Sequence, residues 1–296
     1  MPHPDLVFEI ASERVAAARW GQNRLEAFAE EPLPPAALRP SASQPNLADR
    51  DAVVRATAKV AQKVTGMRRE AVLLVPDTVV RIFLLGFETF PRKDAEAMPL
   101  LRWRLKKSVP FPVEETVLSW TQQHSPAGGL EIVTAVARES VVREYEQVLE
   151  DAGLYPGVVL GSTLATLPLV EEGPPTLLVR LAGASLSAAI ADRDRLALHR
   201  CTDVGAAPEP QALLDEIFPA VAYFQDSAKR NIERVRLAGL EERGIALRPR
   251  LERELGCSVA SLGGEAAVSD RLPEGAGDLI AKRWESLVGW CLNRGA

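Results

Sequence analysis

Apolar positions recur along this chain with two different periods, and the switches between them predict its elements. Leu6–Ile10, Arg14–Trp20 and Leu25–Glu30 are short strand-like runs separated by tight breaks, which predicts an opening antiparallel meander. Glu31–Pro45 carries Pro32, Pro34, Pro35, Pro40 and Pro45, so it is neither regular helix nor central strand. A helical period then places Val53, Val54, Thr57, Val60, Ala61 and Val64 on one face. This predicts a helix from about Leu47 to Val64, capped by Asn46 and stopped by Gly66. Ala71–Val75 is a continuous apolar run, as expected of a strand buried on both faces.

From Thr78 the order changes. Val79–Phe87 reads as a strand, Asp94 is positioned to cap a helix running to about Lys107, and Thr116–Gln123 with Glu131–Ala137 reads as a hairpin around Pro126, Gly128 and Gly129. Glu139–Ala152 is an amphipathic helix ended by Gly153. This β-α-β-β-α unit predicts a small subdomain, residues 78–154, inserted into a first lobe made of residues 1–77 and 155–172. A second lobe, residues 173–296, restarts after Gly173-Pro174-Pro175. Its strands are Thr176–Ala182, Leu186–Asp192 and Arg195–Thr202, followed by a helix from about Glu209 to Arg230 with Pro219 inside it. Arg234–Ala238 is a strand, Arg248–Leu255 a helix, Cys257–Ala260 a strand and Asp278–Asn293 a closing helix. Each half opens with a meander and ends in alternating helices and strands. That weak internal repeat predicts a two-lobed α/β fold.

Composition narrows the function classes. The 296 residues are 47% hydrophobic, enough for a large core, and the formal net charge of −5 gives nonspecific nucleic-acid binding no support. No apolar run is long enough to span a bilayer, and the N-terminus lacks the basic-then-apolar pattern of an export signal, so a cytoplasmic protein is expected. Cys201, Cys257 and Cys291 stand far apart and read as buried thiols in a reducing compartment. His3, His124 and His199 show no catalytic or metal spacing, so neither a catalytic residue nor a metal site is assigned.

The segment Leu100–Trp120, LLRWRLKKSVPFPVEETVLSW, resembles the inserted subdomain of the PilM family of type IV pilus assembly proteins: a helix with an Arg-Trp pair, a Pro-Phe turn, acidic residues and a strand. Val136–Val159 resembles the strand, helix and return strand that follow, and a weaker likeness covers nearly the whole chain. The resemblance implies an actin-like (ribonuclease H-like) fold with an insertion in the first lobe. The cytoplasmic part of the GspL type II secretion proteins is similar too.

Actin-fold ATPases grip phosphate with two hairpin turns, each preceded by an acidic residue and built from small residues that let backbone N–H groups approach. The residues matching these loops are Glu9 and Ser12 in the first turn, Gly183 and Ser185 in the second, and Gly239 in the adenosine-side loop. All three loops depart from the pattern. Ala11 and Ala16 replace a glycine and a lysine, and Glu13 turns a carboxylate toward the phosphate position. Arg180 stands where the second acid belongs, and Leu240, Glu241 and Glu242 follow the lone Gly239. A guanidinium neither ligates a cation nor acts as a base; it is expected to pair with Glu9 if the lobes close. A pseudo-ATPase is therefore expected, with no cofactor, or with ATP and magnesium held only weakly. The second half also has no room between Thr202 and Glu209 for the usual upper subdomain, so its lobe reads as truncated.

The resemblance implies a scaffold that accepts the N-terminal tail of a PilN-like inner-membrane protein in a groove between the first lobe and the inserted subdomain, and that joins other pilus assembly proteins. Trp103, Val109, Phe111 and Trp120 are the candidate groove residues. Contact with the membrane would run through that partner. Arg102, Arg104, Lys106 and Lys107 form a basic cluster near a helix C-terminus. The open alternatives are an ATP-binding member of the family and a GspL-like piece of a secretion platform.

Overall fold

The computed structural model describes residues 4–125, 128–262 and 271–292. His3, Pro126 and Asn293 lie outside these. The first lobe is built on β1 (Leu6–Ile10), β2 (Arg14–Trp20), β3 (Leu25–Pro32), β4 (Glu70–Val75) and β8 (Tyr155–Gly161), hydrogen-bonded in the order β3-β2-β1-β4-β8. The second is built on β9 (Thr176–Ala182), β10 (Ser185–Asp192), β11 (Arg195–Asp203), β12 (Arg234–Ala238) and β13 (Ser258–Ser261), in the order β11-β10-β9-β12-β13. Both sheets are an antiparallel meander continued by parallel strands, so the internal repeat read from the sequence is a repeat of topology.

Between β4 and β8 the chain builds a three-stranded sheet from β5 (Arg81–Phe87), β6 (Thr116–His124) and β7 (Leu130–Arg138), ordered β5-β7-β6. Helix α2 (Asp94–Leu105) covers one face, and Leu105, Phe111, Val113 and Val136 form the buried centre of this subdomain. Helix α3 (Glu139–Asp151) follows it in sequence but packs Val141, Tyr145, Val148 and Leu149 into the core of the first lobe, beside α1 (Arg50–Val64).

Strand alternation decides which residues meet between the lobes. In β1, Leu6, Phe8 and Ile10 face the outer core under α1 and α3, which leaves Val7 and Glu9 on the opposite face. In β9, Leu177, Val179 and Leu181 face the core under α5 (Pro210–Ala228) and α6 (Glu241–Leu255), which leaves Leu178 and Arg180 on the inner face. The inner faces enclose a layer of short helices, α4 (Ser162–Thr166), α7 (Ala276–Ala281) and α8 (Glu285–Leu292). Val7, Val72 and Leu74 join Leu178, Ala189, Leu287 and Val288 in one apolar cluster spanning both lobes. At about 25 cal/mol per Å² of apolar surface buried, that shared layer binds the lobes into one body.

Several boundaries differ from the sequence reading. Helix α1 starts at Arg50, and its cap is Asp49, whose carboxylate accepts from the Ala52 N–H at 2.9 Å. Asn46 is instead a fully buried hub. Its Oδ1 accepts from the Ser41 N–H and the Tyr145 hydroxyl, and its Nδ2 donates to the carbonyls of Ser41 and Gln44. The cap position of α2 belongs to Lys93, and Asp94 accepts from the Trp120 indole N–H at 3.1 Å. Helix α6 begins at Glu241, seven residues before the predicted Arg248. The closing helix is two helices, broken at Arg283, which has φ +65°.

Candidate functional site

Because Glu9 and Arg180 lie on facing sides of the two sheets, their side chains meet. Arg180 Nη2 donates to Glu9 Oε1 at 3.1 Å and Nη1 donates to Ser162 Oγ at 2.7 Å, with Asp77 Oδ2 3.6 Å away. Asp77 accepts from the Thr163 N–H at 2.9 Å, the Thr163 hydroxyl at 2.6 Å and the Ser187 hydroxyl at 3.0 Å. The Ser286 hydroxyl closes the set by donating to Glu9 Oε2. Relative exposures of 3% for Glu9 and Asp77 and 4% for Arg180 leave this network almost wholly buried.

Charges buried this deeply are tolerated only when paired and hydrogen-bonded. Burial alone would lower the Arg180 pKa. The charges of Glu9, Asp77 and Glu285 outweigh it and hold the guanidinium above its ordinary value. Glu285, nearby at the start of α8, is pushed above the usual carboxylate range by burial. Asp77 was missed in the sequence because Pro76-Asp77-Thr78 reads as an ordinary turn. Its partners lie 85 to 110 residues away.

Beside this network lies a cavity of about 650 Å³, bordered by both hairpin turns and the loop after β12. Glu9, Ser12, Gly183 and Gly239 line it; Ser185, at the start of β10, is not among its lining residues. The two turns touch, since a Cβ built on Gly183 would stand 3.2 Å from Ser12 Oγ. Gly239 has φ +67°, and a Cβ there would come within 2.1 Å of the Leu181 carbonyl, so only glycine lets β12 run against β9 at this point. Besides Glu9, three carboxylates of the cavity wall already have partners. Glu30 accepts from Arg14 and from the Trp284 indole, Glu31 pairs with Lys63, and Glu241 pairs with Arg283. The Arg14 guanidinium lies 3.8 Å over the Trp284 ring. Among the described residues no three His, Cys, Asp or Glu side chains converge as a metal site.

The candidate groove residues sit around α2. Trp103 is 72% exposed on its outer side, Val109 is half-buried, and Phe111 is packed inside the subdomain. Trp120 is half-buried, edge-on to Phe90 with ring centroids 5.0 Å apart. A groove of about 300 Å³ does run between the first lobe and the subdomain, bordered by Pro40, Ala42, Thr78, Val80 and Phe83, with Cys201 and Asp203 on its far wall. None of the four candidates lines it. The three cysteines are free and half-buried rather than fully buried, and desolvation pushes the Cys201 thiol up to about 12.

No family model matches the chain, and no curated protein matches it. Solved structures do. A chain of the PilM–PilN type IV pilus biogenesis complex is 20% identical and superposes with a TM-score of 0.75, with 100% of both chains covered. The cytoplasmic domain of EpsL, an inner-membrane component of the type II secretion system of Vibrio cholerae, is 12% identical over 78% of this chain and 80% of its own, with a TM-score of 0.52. A protein of unknown function with an actin-like ATPase fold from Bacteroides thetaiotaomicron is 10% identical over 87% of this chain and 90% of its own, with a TM-score of 0.53. The chain therefore has the actin-like fold, and the PilM-type likeness first visible in Leu100–Trp120 extends through its whole structure.

Proposed function

We propose that this protein is a non-hydrolysing actin-fold scaffold of a type IV pilus machine, which docks the tail of a PilN-like membrane partner. The observation that carries this reading is the Arg180 network. The position from which the fold's ATPases present an acid to a metal and a water holds a permanent cation, already shared by Glu9 and Asp77. The residues present do not fit a magnesium–polyphosphate complex: the hinge carboxylates are occupied, and Glu13 adds negative charge to the cavity wall. The full-length likeness to a chain of the PilM–PilN complex supports the choice of machine and partner.

The groove beside Pro40, Ala42 and Phe83 is the docking position that best suits an extended tail. Among the described residues no helix is long and apolar enough to cross a membrane. The likeness to the EpsL domain favours a second reading, a secretion platform.

Titration of the full chain with tail peptides from PilN-type and EpsL-associated proteins separates the two. The expected result is saturable binding of the PilN-type peptide that Ala42→Arg abolishes. Failure of both peptides sinks the docking model. Steady release of phosphate from millimolar Mg-ATP, abolished by Glu9→Gln, overturns the non-hydrolysing half.

A further inference from the structure

A second, wider groove lies on the other side of the inserted subdomain. It encloses about 710 Å³ between β5 on one wall and β11 with α5 on the other. Both strands are sheet edges: β5 pairs only with β7, and β11 only with β10, among the described residues. Ile82, Phe83 and Leu84 line it consecutively, as do Ala197, Leu198, His199 and Arg200. Consecutive lining means that the backbone edges themselves border the space, since side chains of one face would alternate.

The molecule already shows what such an edge accepts. Gln123, near the end of β6, reaches across and pairs with the main chain of Leu196. Its Nε2 donates to the Leu196 carbonyl at 2.6 Å, and its Oε1 accepts from the Leu196 N–H at 3.1 Å. One side-chain amide thus imitates one residue of an added strand. Beyond Leu196, among the described residues, the outer edge of β11 makes no such bond. The chemistry of the groove also has a sign. Arg195, with its side chain 13% exposed, pairs with Glu131 at 3.5 Å, while its Nε and Nη1 are buried and unpartnered. His199 Nε2, on the same wall, is likewise buried without a partner. The Arg195 nitrogens are donors whatever the pH; left unmatched they are costly, and an incoming acceptor relieves them. The walls between are apolar: Ile82, Leu84, Ala197, Ala220 and Phe224, with Tyr223 at 67% exposure.

We propose that this groove binds an extended peptide segment of a partner protein, running along the free edge of β11, with alternate apolar side chains against Ile82, Leu84 and Tyr223 and a carboxylate on Arg195. Main-chain bonds supply affinity, and the Arg195 contact supplies selectivity. The inference rests on this groove alone and stands or falls separately from the docking of a tail at Ala42.

The test is selection of displayed random peptides of about ten residues, a full strand's length, on the intact chain. Enriched sequences should alternate apolar and polar residues and contain Asp or Glu. The best peptide should slow amide exchange along Leu196–Asp203. Replacing its acid by the amide, or Arg195 by Gln, should weaken binding about tenfold each, and the two losses should not add, since they remove one contact. Ala197→Glu should abolish binding. The acid-to-amide change leaves the protein untouched, so a folding defect cannot imitate the result. No enrichment, affinity indifferent to both Arg195→Gln and Ala197→Glu, or sedimentation showing a second copy of the chain covering the groove would each overturn the proposal.

Discussion

The second lobe meets the rest of the molecule along two seams that are filled differently. In the inner seam, Glu9, Asp77, Arg180, Ser162, Ser187 and Ser286 are matched to one another, and Glu30, Glu31 and Glu241 of the neighbouring cavity wall have partners of their own. In the outer seam, Arg195 and His199 keep buried polar atoms unmatched, two strand edges border a groove, and a single glutamine does the work of a neighbour. The same sheet contributes to both. The charged groups at the centre of the inner seam are matched to one another, while the outer seam retains unsatisfied bonding capacity. Polar groups that satisfy each other hold a molecule closed; polar groups left over mark where something else belongs.

The sharpest way to break this contrast is Arg180→Ala. It strands Glu9 and Asp77 without their cation in a buried site and should cost about 3–5 kcal/mol in chemical denaturation. A loss near zero would mean that water reaches the seam. Gly239→Ala comes next, at about 3 kcal/mol, because the new Cβ collides with the Leu181 carbonyl at a positive φ. Glu285→Gln sharpens the electrostatics. Burial raises this carboxyl above its ordinary 4.5, so the folded state keeps the proton to higher pH than the unfolded chain does. The associated stability is present below 4.5 and falls as pH rises through the raised value. The variant should lack that fall and gain on the wild type toward neutral pH, as thermal melts across the range would show. The smallest effect belongs to the outer seam: Tyr223→Ser, at an exposed position, should change stability by no more than about 0.5 kcal/mol. An outer-seam variant as damaging as Arg180→Ala would erase the distinction.

How far this was legible depended on the distance over which each signal acts. The meander strands and the strands of the inserted unit lie within short stretches, where period and residue type suffice, whereas Arg180 stood out only against the loop pattern that the PilM-type resemblance implies. The α1 cap went to Asn46 because Asn46 and Asp49 are equally good capping types three residues apart, and only the fold, which buries Asn46 against Tyr145, tells them apart. The first half of α6 was hidden by Gly244 and Pro249, which interrupt its apolar period. The break at Arg283 was hidden because Trp284 and Leu287 continue the apolar pattern across it. Trp103 and Phe111 read alike in the sequence, each as suited to a groove as to a core, yet one packs outward and the other inward, a difference that exists only once α2 lies on its sheet. Asp77 carried no local signal at all, since its role is made by residues more than eighty positions away.

The buried Asn46 has one practical consequence for handling the protein. Its main-chain N–H donates to Glu144 of α3, and its side chain gathers Ser41, Gln44 and Tyr145. The proline-rich stretch before it, which looks like a spacer, is therefore a brace wedged between the opening strands and the helix that leads back from the insertion. A tag inserted there, or a fragment boundary drawn there, would pull out a strut rather than trim a tether.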